Sequence, residues 1–183
     1  MQETSDEQLM LAFAQHDQKA FEQLYTRHKD AVYRYYLRHI NNEATAQELF
    51  QDLWLKIIKS KQSYKVTAQF KTWLYTLAHN RLVDWYRRNH QEKLAFKDQG
   101  NDITDVTVNW NPEDELQTLR LCAQLKSAIA ELPFDQQEVF LLHQEALLSL
   151  GQISTILQTN IEKVKSRYRY AIKKLRVKLE HSR

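Results

Sequence analysis

The sequence predicts an all-α fold, two small helical domains joined by a flexible linker. Three observations carry this. First, 183 residues include only two glycines, Gly100 and Gly151, and two prolines, Pro112 and Pro133. A strand-rich chain of that length needs far more turn residues. Second, apolar residues recur at helical spacing through both halves. Third, the run KDQGNDITDVTVNWNPEDE between the halves breaks that spacing and is rich in Asp and Asn, which favour turns and caps. A hydrophobic content of 43% suffices for packed cores, although two small domains are each only modestly stable. The expected division is 1–95, an acidic linker over 96–112, and 113–183.

The elements follow in order. Ser5 and Gln8 form a capping-box pattern that opens a helix carrying Leu9, Met10 and Phe13 inward. Ala20, Leu24, Ala31 and Tyr35 continue an apolar stripe. From about Ala44 to Lys59, one broad apolar face is expected of Leu49, Phe50, Leu53, Trp54, Ile57 and Ile58. Ser60 to Gln69 is polar, and Phe70 to Arg88 resumes the helical pattern. Within the linker, Ile103, Val106 and Val108 alternate beside Trp110, but a lone strand there would have no partner. The pattern restarts at Glu113, with Leu116, Leu119, Ala123, Leu125 and Ile129 on one helix and Cys122 at a core-like position. Pro133 suits the first turn of the next helix, which carries Val139, Phe140 and Leu142. Ser149 and Gln152 repeat the capping box ahead of Ile153, Ile156 and Leu157. Asn160 then caps a long last helix with Val164, Tyr168, Ile172, Leu175 and Leu179 inward. Two helices joined by a tight turn, the second strongly basic, outline a helix-turn-helix module.

Charge is distributed unevenly. The formal net charge is only +3, yet Lys163 to Arg183 holds nine Lys or Arg against one acid, Glu180. Asp98 to Glu115 holds six acids and no Lys or Arg. A near-neutral average thus hides an acidic middle and a basic tail of the kind that meets phosphates. The seven histidines are never within five residues of one another, and there is no Gly-rich phosphate loop or nucleophile elbow. No catalytic residue, metal site or cofactor is expected. The N-terminus lacks a basic region followed by an apolar stretch, and no apolar run is long enough to span a bilayer. With a single cysteine, a cytoplasmic location is expected.

Three segments resemble, in order and spacing, the extracytoplasmic-function (ECF) branch of the sigma-70 family. They are TAQELFQDLWLKII (Thr45–Ile58), FKTWLYTLAHNRLVDWYRR (Phe70–Arg88) and LGQISTILQTNIEKVKSRYRYAIKKL near the end. The resemblance covers nearly the whole chain. It implies an alternative RNA polymerase sigma factor that directs promoter-specific initiation without catalysis of its own. It also implies the partners: the β′ and β subunits of core RNA polymerase, promoter DNA, and an anti-sigma factor through which alone a membrane would be met.

Particular residues acquire expected roles. With the first segment's apolar face inward, Glu48, Gln51, Asp52 and Leu55 share an outward stripe, and an apolar residue on a polar face suits protein docking. The resemblance implies that this stripe binds a β′ coiled coil. The second segment mixes aromatic and basic residues, a combination that stacks bases and neutralises phosphates. Phe70, Trp73 and Leu77 repeat at core spacing, leaving Asn80, Asp84, Arg87 and Arg88 on an outer face. The resemblance implies that this helix and the loop Lys65 to Gln69 read the −10 element and hold a flipped base of the non-template strand. In the last helix, Lys163, Lys165, Ser166, Arg167, Arg169 and Tyr170 occupy the first turns, where a recognition helix reaches base edges. The resemblance makes them readers of the −35 element.

Departures from the family pattern are specific. Val66 follows Tyr64-Lys65 where ECF loops often carry glycine, and Thr76-Leu77 stands where primary sigma factors place two tryptophans. The absent tryptophan wedge implies dependence on stringent promoter recognition. Gln158 stands where the turn usually has glycine, and Gly151 where a polar residue is usual. Two rivals remain at this stage. A helix-turn-helix regulator acting without polymerase would bind its operator alone, and a purely helical adaptor would leave the basic last helix without a purpose.

Overall fold

The computed structural model describes residues 4–95 and 114–180, with side chains at 4–89 and 119–180. The expected linker, with Trp110 and the Ile103–Val108 alternation, lies outside the described residues, as does the side chain of Leu116. Among the described residues there are eight α-helices and no strand.

The first unit comprises α1 (Asp6–Ala14), α2 (Gln18–Ile40), α3 (Glu43–Ser60) and α4 (Phe70–Ala95), with a single 3-10 turn at Lys61–Ser63. Local chemistry sets its boundaries. Ser5 and Gln8 cap α1 reciprocally, Asp17 accepts from the Lys19 and Ala20 N–H groups at the start of α2, and Asn42 caps α3 through the Thr45 N–H. Asn41 ends α2 in the left-handed conformation, φ 52°, which asparagine tolerates better than most residues. Leu24, Tyr35, Tyr36, Leu49, Leu53, Ile57, Phe70, Leu74 and Tyr75 are buried in the middle. The Tyr36 hydroxyl donates to the Ala78 carbonyl at 3.2 Å, fixing α2 to α4.

The second unit comprises α5 (Asp114–Ala130), α6 (Phe134–Gln144), α7 (Leu150–Ile156) and α8 (Ile161–Glu180). Ser149 and Gln152 form the expected capping box on α7, and Asn160 Oδ1 accepts from the Glu162 N–H at 2.7 Å. Pro133 lies one residue before α6, as its cap, rather than inside the first turn. The core is built from Ala128, Ile129, Val139, Leu142, Ile153, Ile156, Val164, Ala171 and Leu175.

Some inward assignments do not hold. Ile58 is 39% exposed, at the edge of the buried α3 face rather than within it. Leu119 and Leu125 are exposed, as are Ala123 and Cys122. Among the described side chains of α5, those from 119 on, Ala128 and Ile129 in the last turn are the buried ones.

The two units are packed on each other. The helix α6 lies against α2, and α7 lies against α4. Phe134 meets His39 and Tyr86, with ring centroids 5.6 and 5.0 Å apart.

Candidate nucleic-acid and protein interfaces

The outward face of α3 is as the spacing requires. Glu48, Gln51 and Leu55 are exposed, and Asp52 is half-buried; positions three, four and seven apart fall on one side of a helix. Leu55 is 53% exposed and Ile58 joins it one turn on, so the stripe holds two apolar side chains rather than one. Asp52, Leu55, Lys56, Lys59, Ser60 and Ser63 line a shallow groove there. Asp52 is also paired with Arg81 of α4, a partner that helical spacing within α3 could not reveal.

The face of α4 opposite its buried Leu74, Ala78 and Leu82 presents Asn80, Asp84, Arg87 and Arg88, all exposed. Phe70 is buried, and Trp73 and Leu77 pack on the core, as their spacing required. Arg81 leaves the polar face to meet Asp52. The preceding loop, with Lys65 exposed, does without glycine: Val66 is not among the residues with positive φ. Lys65 O accepts from the Thr67 N–H at 2.8 Å, which tightens the loop. Glu7 of α1 accepts from the Phe70 N–H at 2.7 Å. A residue 63 positions away thus caps the helix that follows the loop, a function no local motif announces.

In α8, Val164, Ala171 and Leu175 are buried and fix the opposite face outward. Helical geometry puts Glu162, Ser166, Arg169 and Lys173 at the centre of that face, with Lys165 on one flank and Lys163 and Tyr170 on the other. Lys165 Nζ donates to Glu162 Oε1 at 2.9 Å, and Arg169 lies over the Tyr170 ring at 5.8 Å. Arg167 is set apart: it is half-buried and reaches back to Asp135 at the start of α6, 2.5 Å away. The turn before α8 runs through Gln158 at φ 49°, so the position where glycine is usual is left-handed and Gln is strained there.

A buried polar site between the units has no counterpart in the sequence reading. Glu138 of α6 is 1% exposed. Its Oε1 accepts from the Tyr35 hydroxyl at 2.6 Å and lies 3.0 Å from His79 Nδ1. Its Oε2 is 3.1 Å from His39 Nε2, close enough for a charge contact but off the line of a hydrogen bond. Burial alone would raise the Glu138 carboxyl, but His39, His79 and Tyr35 bring it below the usual carboxylate range. Burial holds His39 below the usual imidazole range, against the pull of Glu138. Outside this site, Glu145 accepts from Arg34 at 2.8 Å and meets Arg38 at 3.4 Å.

The sigma-70 region 2 family matches residues 24–92, and sigma-70 region 4 matches residues 122–175. The two regions occur in family order and together span more than half of the chain. The chain belongs to the sigma-70 family. Within it, the ECF group is the branch: the chain is 27% identical over 164 residues to the RNA polymerase sigma factor YlaC of Bacillus subtilis, covering 90% of this chain and 94% of that one. It is 26% identical over 169 residues to the ECF RNA polymerase sigma factor SigW of the same organism, covering 89% and 90%. The fold matches that of the sigma factor RpoE of Bartonella quintana, solved with the anti-sigma factor NepR, at TM-score 0.74 and 22% identity over 90% of this chain and 99% of that one. It also matches CnrH, solved with the cytosolic domain of CnrY, at TM-score 0.73 and 20% identity over 98% and 100%. This sigma factor therefore directs promoter-specific transcription initiation, and the reading as a regulator independent of polymerase is set aside.

Proposed function

We propose that this ECF sigma factor divides its work among three faces. The α3 stripe of Glu48, Gln51, Asp52 and Leu55, extended by Ile58, docks on the β′ subunit. The α4 face of Asn80, Asp84, Arg87 and Arg88, with Lys65 in the loop, reads the −10 element. The outward face of α8 reads the −35 element through Lys165, Ser166 and Arg169, flanked by Lys163 and Tyr170, while Arg167 braces α8 on α6. The observation that carries the reading is the exposure of polar and basic residues on α4 and α8, each opposite a buried face. Exposed cations bind phosphates, and residues at a helix start reach bases. The chain supplies recognition, and the chemistry stays with core polymerase.

Both of these structural neighbours were solved with a protein partner, one of them the anti-sigma factor NepR, and an anti-sigma partner is proposed for this chain too. No described helix is long and apolar enough to cross a membrane. The test is a promoter library transcribed by core polymerase with and without the chain. Enrichment of paired −10 and −35 elements is expected, and it should be lost when Arg87 and Arg88 are both replaced by Glu. Enrichment that survives that change would remove α4 from the reading.

A further inference from the structure

The loop before α4 takes its shape from outside itself. Lys65 to Gln69 are all exposed and none has a positive φ; within the run the Thr67 N–H donates to the Lys65 carbonyl. A short exposed run without glycine follows the course set by the two points where it leaves the rigid scaffold.

Both of those points are held by the same helix, α1. Before the loop, Gln62 Nε2 donates to the Ala14 carbonyl at 2.7 Å, and Lys61 Nζ lies over the Phe13 ring at 4.7 Å. After it, Glu7 Oε1 accepts from the Phe70 N–H at 2.7 Å, a charge-assisted bond of the kind that fixes a helix start. Glu7 is steadied in turn by its neighbour Asp6, whose two oxygens meet Arg27 at 2.8 Å and His28 at 2.7 Å on α2. Between the stems the Tyr64 ring packs on Phe70 and Trp73, with centroids 6.2 and 5.0 Å away. Glu7 and Ala14 lie about 10 Å apart along the axis of α1, whereas the chain from Gln62 to Phe70 could reach well beyond that distance. The surplus must bow outward, and it does so as the exposed Lys65 to Gln69.

We propose that α1 is a splint for −10 recognition, and that Glu7 is a positioning residue that sets preference at the base held by the loop, acting through the Phe70 N–H rather than on DNA. This rests on the assignment of the loop to the −10 element. Losing the side-chain cap of a helix start changes a local equilibrium by roughly tenfold, which bounds what Glu7 contributes. The splint gives the loop a fixed course that its own backbone, with Val66 and no glycine, does not impose.

The test transcribes a promoter library randomised at both elements, using core polymerase and the full chain. Glu7→Ala should lose roughly tenfold of the base discrimination at the −10 position read by the loop, with −35 preference in the same library unchanged. Glu7→Gln keeps an acceptor oxygen and should recover most of the loss. Gln62→Ala, at the other stem, should shift the same −10 preference more weakly, and it carries the test should Glu7→Ala not fold. Asp17→Ala removes a comparable cap from α2; its thermal midpoint should fall while −10 preference stays intact, which separates positioning from stability. The inference is overturned if Glu7→Ala and Gln62→Ala both keep the wild-type preference, or if −10 and −35 preferences fall together. It is equally overturned if Asp17→Ala loses −10 preference as fully as Glu7→Ala, or if Glu7→Gln is no better than Glu7→Ala. Failure of the −10 assignment looks different: a chain carrying Lys65→Ala, Thr67→Ala and Gln69→Ala together would then keep the preference too, whereas a loop that reads without a splint would lose it.

Discussion

Gln158 and Leu147 hold backbone conformations, φ 49° and 53°, that glycine adopts without strain. Leu147 is also 78% exposed, so its side chain gains little from packing. Replacing either by glycine should stabilise the chain by about 0.5–1 kcal/mol, the left-handed strain less the added freedom of the unfolded chain. Thermal unfolding measures this, and a lower midpoint would show that these side chains make contacts that outweigh the strain. Single residues also separate reading from bracing in α8. Lys165→Ala or Arg169→Ala should lose about 1–3 kcal/mol of promoter binding and relax preference at particular −35 positions. Lys173→Ala or Lys174→Ala should weaken all promoters alike and flatten the salt dependence. Arg167→Ala should chiefly lower stability, since its guanidinium is held by Asp135. A promoter library transcribed at two salt concentrations distinguishes these effects. A uniform loss for Lys165→Ala and Arg169→Ala would reassign both to phosphates.

Among the elements, α3 offers the cleanest separation of docking from folding. Asp52→Lys should weaken core binding, but it also breaks the pair with Arg81, worth about 1 kcal/mol or less at this exposure. Leu55→Ser and Glu48→Lys touch no described partner and should weaken core binding at unchanged thermal stability. A titration against core polymerase checks this, and unchanged affinity would remove the stripe from the docking surface. The helices themselves were legible because capping and periodicity are local: Ser5 with Gln8, Ser149 with Gln152, and Asn160 each start a helix where expected. The same holds for Leu55 and for the Asn80 to Arg88 face. What stayed hidden depends on distant residues. Ile58 and Leu125 have apolar spacing but stay more than a third exposed. Glu7 caps α4 from α1, Arg81 turns toward Asp52, and Glu138 is sheltered by another unit. None of these follows from a window of ten or twenty residues.

At the scale of the whole molecule, the closed arrangement, in which α6 packs on α2 and α7 on α4, should depend on pH. Glu138 faces Tyr35 and His39 from α2 and His79 from α4, with Tyr36 and Tyr86 nearby. Both shifted groups, Glu138 and His39, hold protons less readily in the closed state than ordinarily. The open state therefore takes up more protons as pH falls, and the closed state loses stability, beginning near the ordinary imidazole value of about 6.5. Energy transfer between dyes on α3 and α8 should fall as pH is lowered from about 7.5 to about 5.5; a constant signal would show that the Glu138 cluster does not titrate in that range. The claim on which the rest depends is that this chain selects promoters as a polymerase subunit, through two reading helices on separate units. Run-off transcription from a promoter recovered from the library tests it most directly, using core polymerase alone, with the chain, and with a chain carrying Arg87→Glu and Arg88→Glu. Transcripts should start at one position only with the unaltered chain, and the chain alone should bind the intact promoter duplex weakly. Strong binding of that duplex by the isolated chain, with no change in where core polymerase starts, would contradict the account.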